Sequence, residues 1–220
     1  MNIPRRDNYK IQADQAKQHF LTYDQQALIQ KFSLKADENY LYTTLLKLPY
    51  RLCRKTGSLE RLSLGQWVDG NSFEEVMTLL DLLCDSREDR SLAGHLQSMQ
   101  TFGLRFHQNL LETRNPFAEQ IDAAPDRFCH ACESLSGQRL PHCDLGYSLE
   151  LFDGLPVAIQ FWHSDEEFPA RIRWLWDANA SKYMVSYLRY CDALASLSQR
   201  IRGGNSSSPC QNWIDRKSVV

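Results

Sequence analysis

Three adjacent acidic residues mark the segment of the chain with the most evident chemical potential. Asp165, Glu166 and Glu167 follow almost directly after Trp162 and His163. Carboxylates held this close repel one another, so they must face water or bind cations, and Mg²⁺ and Ca²⁺ prefer oxygen ligands. A carboxyl group whose pKa is raised beside an indole could also act as a general acid or base. The segment is therefore a candidate site for a divalent cation or for proton transfer.

The same segment has a purely structural interpretation, which we favour. In a tight connection between strands the acids would face water or cap backbone amides, while Phe168 would plug the core and Pro169 would start the next strand. Consecutive side chains point in different directions, so three adjacent acids seldom face one ligand.

If the segment does bind a cation, Asp144 or Asp177 could supply further oxygen ligands across the end of a sheet. The candidate ligand-binding residues are accordingly Trp162, His163, Asp165, Glu166, Glu167 and Asp177.

Cysteine and histidine residues form a second constellation. Cys129 and Cys132 have the Cys-x₂-Cys spacing that can present two sulfurs to zinc, and His142 or Cys143 could complete the set. Strong zinc signatures repeat the cysteine pair or add a spaced histidine pair, whereas His142 and Cys143 are adjacent. The pair also lacks the preceding strand of a thioredoxin-like redox site. We therefore predict that no metal binds, with these four residues as the alternative zinc ligands.

Other catalytic patterns are missing from the sequence. It contains no Gly-x-Ser-x-Gly nucleophile motif, and its ten glycines form no phosphate-binding cluster. Trp174 and Trp176 would share one strand face with Ile172, leaving Arg171 and Arg173 on the other. Such an aromatic face is most often core, and less often the wall of a ligand pocket. The sequence offers no set of nucleophile, base and orienting group. It also indicates no cofactor, so the cofactors are unknown.

Two short segments carry a resemblance to a known family. Residues Trp162–Pro169 have the pattern Trp-x-x-Asp-Glu-Glu-Phe-Pro, and Leu175–Asp177 form an apolar-aromatic-acid step in which Trp176 replaces an expected Phe. These pieces, with an early helix followed by Tyr-rich strands, resemble a bacterial family catalogued only as a domain of unknown function. The resemblance spans most of residues 7–200. It implies a shared fold and a bacterial, cytoplasmic setting, and it carries over no catalytic residues.

The predicted elements place these residues on strands. Apolar positions at helical spacing predict a helix over residues 7–31, and Tyr-rich alternating segments predict a strand meander within residues 40–64. Ser72 and Glu75 form a capping box before a helix that ends at about Cys84. A hairpin at Asp153-Gly154 and a further connection at Ser164–Pro169 predict three consecutive antiparallel strands: Tyr147–Phe152, Val157–Trp162 and Arg171–Trp176.

The remaining segments complete the predicted domain. Pro116, after Asn115 as the cap, and Pro125 each favour a helix start, and residues 180–201 predict a final helix. We expect one α+β domain over residues 1–202, with antiparallel sheets and helices packed on one face. Residues 203–220 are expected to form a flexible C-terminal tail. The two strand groups could form one sheet or two.

Composition restricts the classes of partner. The 220 residues are 43% hydrophobic and 24% charged, and the net charge of −2 gives no electrostatic reason to expect nucleic acid or an anionic membrane. The N-terminal residues lack the apolar stretch of a secretory signal, and no apolar run reaches the ~18 residues of a membrane span. The seven cysteines are scattered and odd in number, which favours reduced thiols. We therefore predict a cytoplasmic protein that folds without metal.

Two functional classes are compatible with this sequence. We favour a non-enzymatic binding or accessory module that recognises a small ligand or a protein partner near Trp162–Asp177, because no catalytic set can be assembled. The alternative is a hydrolase- or lyase-like enzyme that uses the carboxylates of the acidic segment, with or without a divalent cation. A pocket containing Asp165 or Glu167 with a bound ion would reverse this preference.

Overall fold

The structure is a computed structural model that describes residues 5–98 and 116–184, together with residues 101, 193, 197, 198, 200 and 201. The chain divides into two compact units: Met1–Arg90 with Lys182–Ala193, and Ser91–Ser181 with Leu194–Val220. Both units combine helices with an antiparallel sheet, so the predicted α+β class is confirmed. Folding as a single domain stays a prediction, and the expected tail over residues 203–220 lies outside the described residues.

The first unit has its helices on both sides of the strand meander in the sequence. Its strands pair in chain order, each with the next, to form a five-stranded antiparallel sheet. The described helices are α1 (Arg5–Leu21), α2 (Gln25–Phe32) and α3 (Phe73–Asp85), and the strands are β1 (Lys35–Ala36), β2 (Tyr40–Leu45), β3 (Leu48–Cys53), β4 (Leu59–Ser63) and β5 (Gln66–Asp69).

The predicted helix over residues 7–31 is wrong in one respect, because it is two helices. Helix α1 ends at Leu21, and Asp24 caps α2 by accepting hydrogen bonds from the backbone amides of Gln26 and Ala27. An aspartate side chain that binds the free backbone amides at the start of a helix favours a new helix start over the continuation of the preceding helix. The predicted meander and the Ser72 cap of α3 are both confirmed, and the Ser72 hydroxyl accepts from the backbone amide of Glu75.

The second unit contains a separate five-stranded antiparallel sheet, so the two strand groups form two sheets. Across this sheet the order is β6, β10, β9, β8, β7. The described helices are α4 (Pro116–Ala123) and α5 (Pro125–Ser134), and the strands are β6 (Leu96–Ser98), β7 (Gln138–Arg139), β8 (Leu145–Phe152), β9 (Leu155–Trp162) and β10 (Arg171–Asp177).

The three predicted strands of this unit are confirmed as β8, β9 and β10, each antiparallel to the next. Asp153 and Gly154 form the turn with φ values of 48° and 78°, the left-handed conformation that a two-residue hairpin requires. The helix starts at Pro116 and Pro125 are also confirmed. Asn115 and most of the predicted final helix lie outside the described residues, and Ala180–Lys182 form a short 3₁₀ turn instead of its first turn.

Alternating burial along β8, β9 and β10 gives the second sheet a packed face and an exposed face. Phe161 and Trp176 are fully buried, and Trp174 stacks on Phe117 of α4 with 6.3 Å between the ring centroids. On the opposite face Arg171 and Arg173 are exposed and Trp162 is half-buried. The predicted division of this strand into aromatic and basic faces is therefore confirmed. Within the described residues, no helix is long and apolar enough to cross a bilayer.

Candidate functional site

The exposed face of the second sheet brings one tryptophan and two arginines together. Arg171 lies opposite Trp162 in the register between β10 and β9, and Arg173 is two residues further along β10 on the same face. The guanidinium carbons of Arg171 and Arg173 lie 4.5 Å and 5.6 Å from the Trp162 ring centroid. Both are within range of a cation–π interaction with the indole. We call these three residues the Arg–Trp cluster.

Neither arginine of the Arg–Trp cluster has a carboxylate partner within 4.0 Å among the described residues. Arg51 in the first sheet provides an internal comparison. Its guanidinium also stacks on aromatic rings, 4.2 Å from the centroid of Tyr40 and 4.7 Å from that of Trp67, but it forms an ion pair with Glu60. The fold therefore neutralises the stacked arginine of the first sheet and leaves two positive charges exposed on the second.

The acidic segment between β9 and β10 is a tight turn closed by its own first aspartate. The Asp165 carboxylate accepts hydrogen bonds from the backbone amides of Glu167 (2.9 Å) and Phe168 (2.7 Å), and the Asp165 amide donates to the Phe168 carbonyl at 3.0 Å. One predicted role, capping of backbone amides, therefore belongs to Asp165. Glu166 and Glu167 are exposed and form no ion pair with any described residue. We call Asp165–Phe168 the acidic turn.

The predicted burial of Phe168 is wrong, because its side chain is 65% exposed. The turn closed by Asp165 keeps Phe168 outside the layer between the sheet and its helices. Phe161, which is fully buried, occupies that layer near the end of β9. Phe168 therefore adds an apolar side chain to the exposed surface.

His163 is held by an aspartate that the sequence did not single out. Asp122, in the last turn of α4, has one carboxylate oxygen 2.7 Å from His163 Nδ1 and accepts a hydrogen bond from the Ser164 hydroxyl at 2.5 Å with the other. The backbone amide of His163 donates to the Asp144 carboxylate at 2.8 Å. Asp122 is 41 residues from His163 along the chain and belongs to another element, so no local spacing could indicate the contact.

These hydrogen bonds determine the chemistry open to Asp122 and His163. The pKa of Asp122 is lowered by the hydrogen bond from Ser164 and then by that from His163, since both stabilise the ionised carboxylate. A neutral imidazole that donates from Nδ1 to Asp122 keeps its lone pair on Nε2. The His163 side chain is 42% exposed, so this arrangement can accept a proton from a group in solution.

Asp177 lies at the other end of β10 and is separate from the other candidate residues. Its side chain is buried and accepts hydrogen bonds from the backbone amides of Ala93, Gly94 and Asn179, at 2.8 to 2.9 Å. Trp162 pairs with Arg171 at the first residue of the strand, whereas Asp177 pairs with Leu96 at the last. Asp177 is therefore a structural carboxylate that joins the start of β6 to β10.

The alternative zinc ligands occupy different environments. Cys129 and Cys132 both lie on α5, where Cys132 is fully buried and burial raises its pKa, while Cys129 accepts a hydrogen bond from Arg139 at 3.8 Å. Cys143 has a pKa raised by burial, and His142 is exposed. No three His, Cys, Asp or Glu side chains within the described ranges are grouped to hold a metal ion. Cys129, Cys132, His142 and Cys143 therefore do not form a complete set of zinc ligands in the described part of the chain.

The chain matches a known protein family. A protein-family model described as "Domain of unknown function (DUF3786)" matches residues 24–187, which include both sheets and the residues of the candidate site. No curated protein and no solved structure matches the chain. The resemblance to a family of unknown function is therefore confirmed at the level of the family, while its signature and a bacterial origin stay predictions.

Proposed function

The chain belongs to the DUF3786 family, a domain of unknown function, and we propose that it is a non-enzymatic protein-recognition module. Its recognition surface is the Arg–Trp cluster, and its partner presents carboxylate groups. One observation carries this proposal: two exposed arginines lie over one half-buried indole and have no carboxylate partner among the described residues.

Two positively charged guanidinium groups lie close together on one face of the second sheet. Arg171 and Arg173 are two residues apart on a strand, which separates their Cα atoms by roughly 7 Å. Their side chains converge on Trp162, so their positive charges repel each other in the absence of an anion. Guanidinium groups bind carboxylates through paired hydrogen bonds, and stacking on an indole orients the guanidinium plane before the partner arrives.

The exposure of the cluster favours a macromolecular partner over a small ligand. Small-molecule sites enclose ~70–90% of their ligand, whereas Arg171 and Arg173 are both exposed on a sheet face. Trp and Arg are the side chains that most often dominate the binding energy of protein interfaces. The net charge of −2 gives the chain no electrostatic attraction to the phosphates of nucleic acid.

A binding titration tests the proposal. The probe is a fluorescently labelled poly-glutamate peptide, whose anisotropy rises when it binds the protein. Replacing Arg171 and Arg173 together by Gln is expected to weaken binding at least about tenfold, because two charge-assisted contacts are lost. Replacing Glu166 and Glu167 by Gln is expected to strengthen it.

Arg87→Gln is the matched control for this titration. Arg87 is exposed like the cluster arginines, but its guanidinium is already paired with Asp89 at 2.7 Å. The control therefore removes one positive charge, against two in the double variant, without removing an unoccupied binding group, and affinity is expected to stay unchanged. Absence of any binding by the wild-type protein, or an equal loss in Arg87→Gln, would overturn the proposal.

A second candidate function rests on the Asp122–His163 hydrogen bond. As a general base, His163 Nε2 would take a proton from a water molecule whose oxygen attacks the carbonyl carbon of an ester; the C–O bond breaks and the alcohol leaves with that proton. Ester hydrolysis faster than the buffer rate, abolished in His163→Gln and reduced in Asp122→Asn, would support the enzyme. Hydrolysis at the buffer rate, or a rate indifferent to His163, would exclude this reaction.

A further inference from the structure

We infer that the Arg–Trp cluster and the acidic turn together form a self-complementary surface that binds a second copy of this chain. The inference rests on the proposed function, because it names the partner that the same surface recognises. It starts from charges of opposite sign that are neighbours in the sequence but do not pair within the described part of the chain.

The acidic turn and the Arg–Trp cluster are held apart by the local backbone. Glu166 and Glu167 precede Arg171 by only five and four residues, yet no ion pair within 4.0 Å joins them. Asp165 fixes the turn through two backbone hydrogen bonds, and the register of β10 against β9 fixes Arg171 opposite Trp162. Both sets of charges are therefore presented to solvent instead of neutralising each other.

A two-fold rotation brings these charges together. In a symmetric dimer the same surface of each subunit contacts the other, so each contact occurs twice. An axis that passes between the acidic turn and the Arg–Trp cluster places Glu166 and Glu167 of one copy over Arg171 and Arg173 of the other. Four carboxylate–guanidinium contacts become available without a partner of any other sequence.

The surface also contains the side-chain types of an interface core. Phe168, the last residue of the acidic turn, is 65% exposed, and Trp162 is half-buried beneath the arginines. Aromatic residues and arginine are enriched at the centres of protein interfaces, where their burial excludes water from charged pairs. Contact with a second copy would cover Phe168, which in the single chain remains exposed to water.

Charge complementarity favours a second copy over other occupants. A purely acidic protein segment satisfies the arginines but meets repulsion from Glu166 and Glu167, and a basic segment meets the reverse. A partner that satisfies both sets needs acidic and basic groups at the same separation. A second copy carries the same acidic and basic groups at the same separation, because its fold is identical.

Charge reversal tests the dimer. The mass of the full-length protein is measured by light scattering during gel filtration at about 100 µM, a concentration that populates weak specific contacts. We expect a wild-type dimer, which added salt weakens. Reversing the basic set (Arg171→Glu with Arg173→Glu) or the acidic set (Glu166→Lys with Glu167→Lys) is expected to give monomers, and mixing the two reversed proteins to give a heterodimer. Arg87→Glu is the control and is expected to remain a dimer.

Each other outcome overturns the inference. A monomeric wild type excludes the dimer, and a dimer that survives either reversal forms through a different surface. Reversed proteins that fold, by circular dichroism, but do not associate on mixing would show that the two sets do not contact each other. If a reversed protein does not fold, the neutral Arg→Gln and Glu→Gln pairs replace it and must each weaken the dimer at least about tenfold. A monomer whose poly-glutamate binding still needs Arg171 and Arg173 would leave the proposed function standing.

Discussion

The Asp122 carboxylate anchors the end of β9 through His163, with 2.7 Å between Asp122 Oδ1 and His163 Nδ1. The same carboxylate accepts a hydrogen bond from the hydroxyl of Ser164, the second residue of the connection to β10. Helix α4 therefore restrains the chain on the C-terminal side of Trp162, next to the Arg–Trp cluster. This contact links two elements that are far apart in sequence.

Asp122→Asn should destabilise the protein by about 1–2 kcal/mol. The amide keeps the size of the side chain but loses the charge that strengthens both hydrogen bonds, and its NH₂ group cannot accept from Ser164. Urea denaturation measures the free energy of unfolding. Ser164→Ala, which removes only one of the two hydrogen bonds, should cost less. A loss in Asp122→Asn no greater than in Ser164→Ala would contradict the role of His163 in this anchor.

The Asp122 anchor should also weaken in acid. The pKa of Asp122 is lower in the folded protein than the ordinary value of about 3.9, so the folded state holds its proton less tightly than the unfolded state. The stabilisation is therefore complete above the unfolded pKa and is lost as pH falls through the folded pKa. The free-energy difference between wild type and Asp122→Asn should shrink as the pH falls below about 4. A difference that grows in acid would reverse the assigned direction.

Phe168→Ala should change the free energy of unfolding of the monomeric chain, measured at dilution, by less than about 0.5 kcal/mol, because a side chain that is exposed in the single chain contributes little to its packing. Phe161→Ala is the matched comparison, since the same side chain seven positions earlier is fully buried. Its truncation should cost about 3–5 kcal/mol. Thermal or urea unfolding of the two variants measures both. Equal losses would place Phe168 in the core, as the sequence alone suggested.

Asp177→Asn should cost about 2–4 kcal/mol, because a buried carboxylate that accepts from three backbone amides would be replaced by a group that accepts from fewer. Asp165→Asn is the control. Asp165 also accepts from two backbone amides, but it is exposed and water can replace the lost contact. Its loss should stay below about 1 kcal/mol. If the Asp177→Asn variant were as stable as the Asp165→Asn variant, the result would argue against a structural role for Asp177.

Local patterns predicted most of the strands and helix starts of this fold. The three strands of the second sheet followed from alternating residues around Asp153-Gly154, because the turn and the side-chain period are set by adjacent residues. The aromatic and basic faces of β10 followed from the same period. The division of the first predicted helix at Asp24 was missed, because a single capping residue within a helical pattern is ambiguous.

The candidate site depended on contacts that no local pattern contains. Asp122 reaches His163 only because α4 packs near the end of β9. The sequence placed Asp177 with the acidic turn because both are acidic and close along the chain, but β10 carries them to opposite ends of the sheet. The grouping of Trp162 with Arg171 depended on the register between β9 and β10. That register is decided by the whole hairpin and the connection after it.

The Arg–Trp cluster as a recognition surface is tested most directly by nuclear magnetic resonance of its own side chains. The measurement follows the Nε–Hε resonances of arginine and the indole Nε1–H resonance of Trp162 while a poly-glutamate peptide is added. The account predicts concerted, saturable shifts at Arg171, Arg173 and Trp162, with the paired guanidinium of Arg87 unmoved. Unchanged resonances at Arg171 and Arg173, or equal shifts at Arg87, would contradict it.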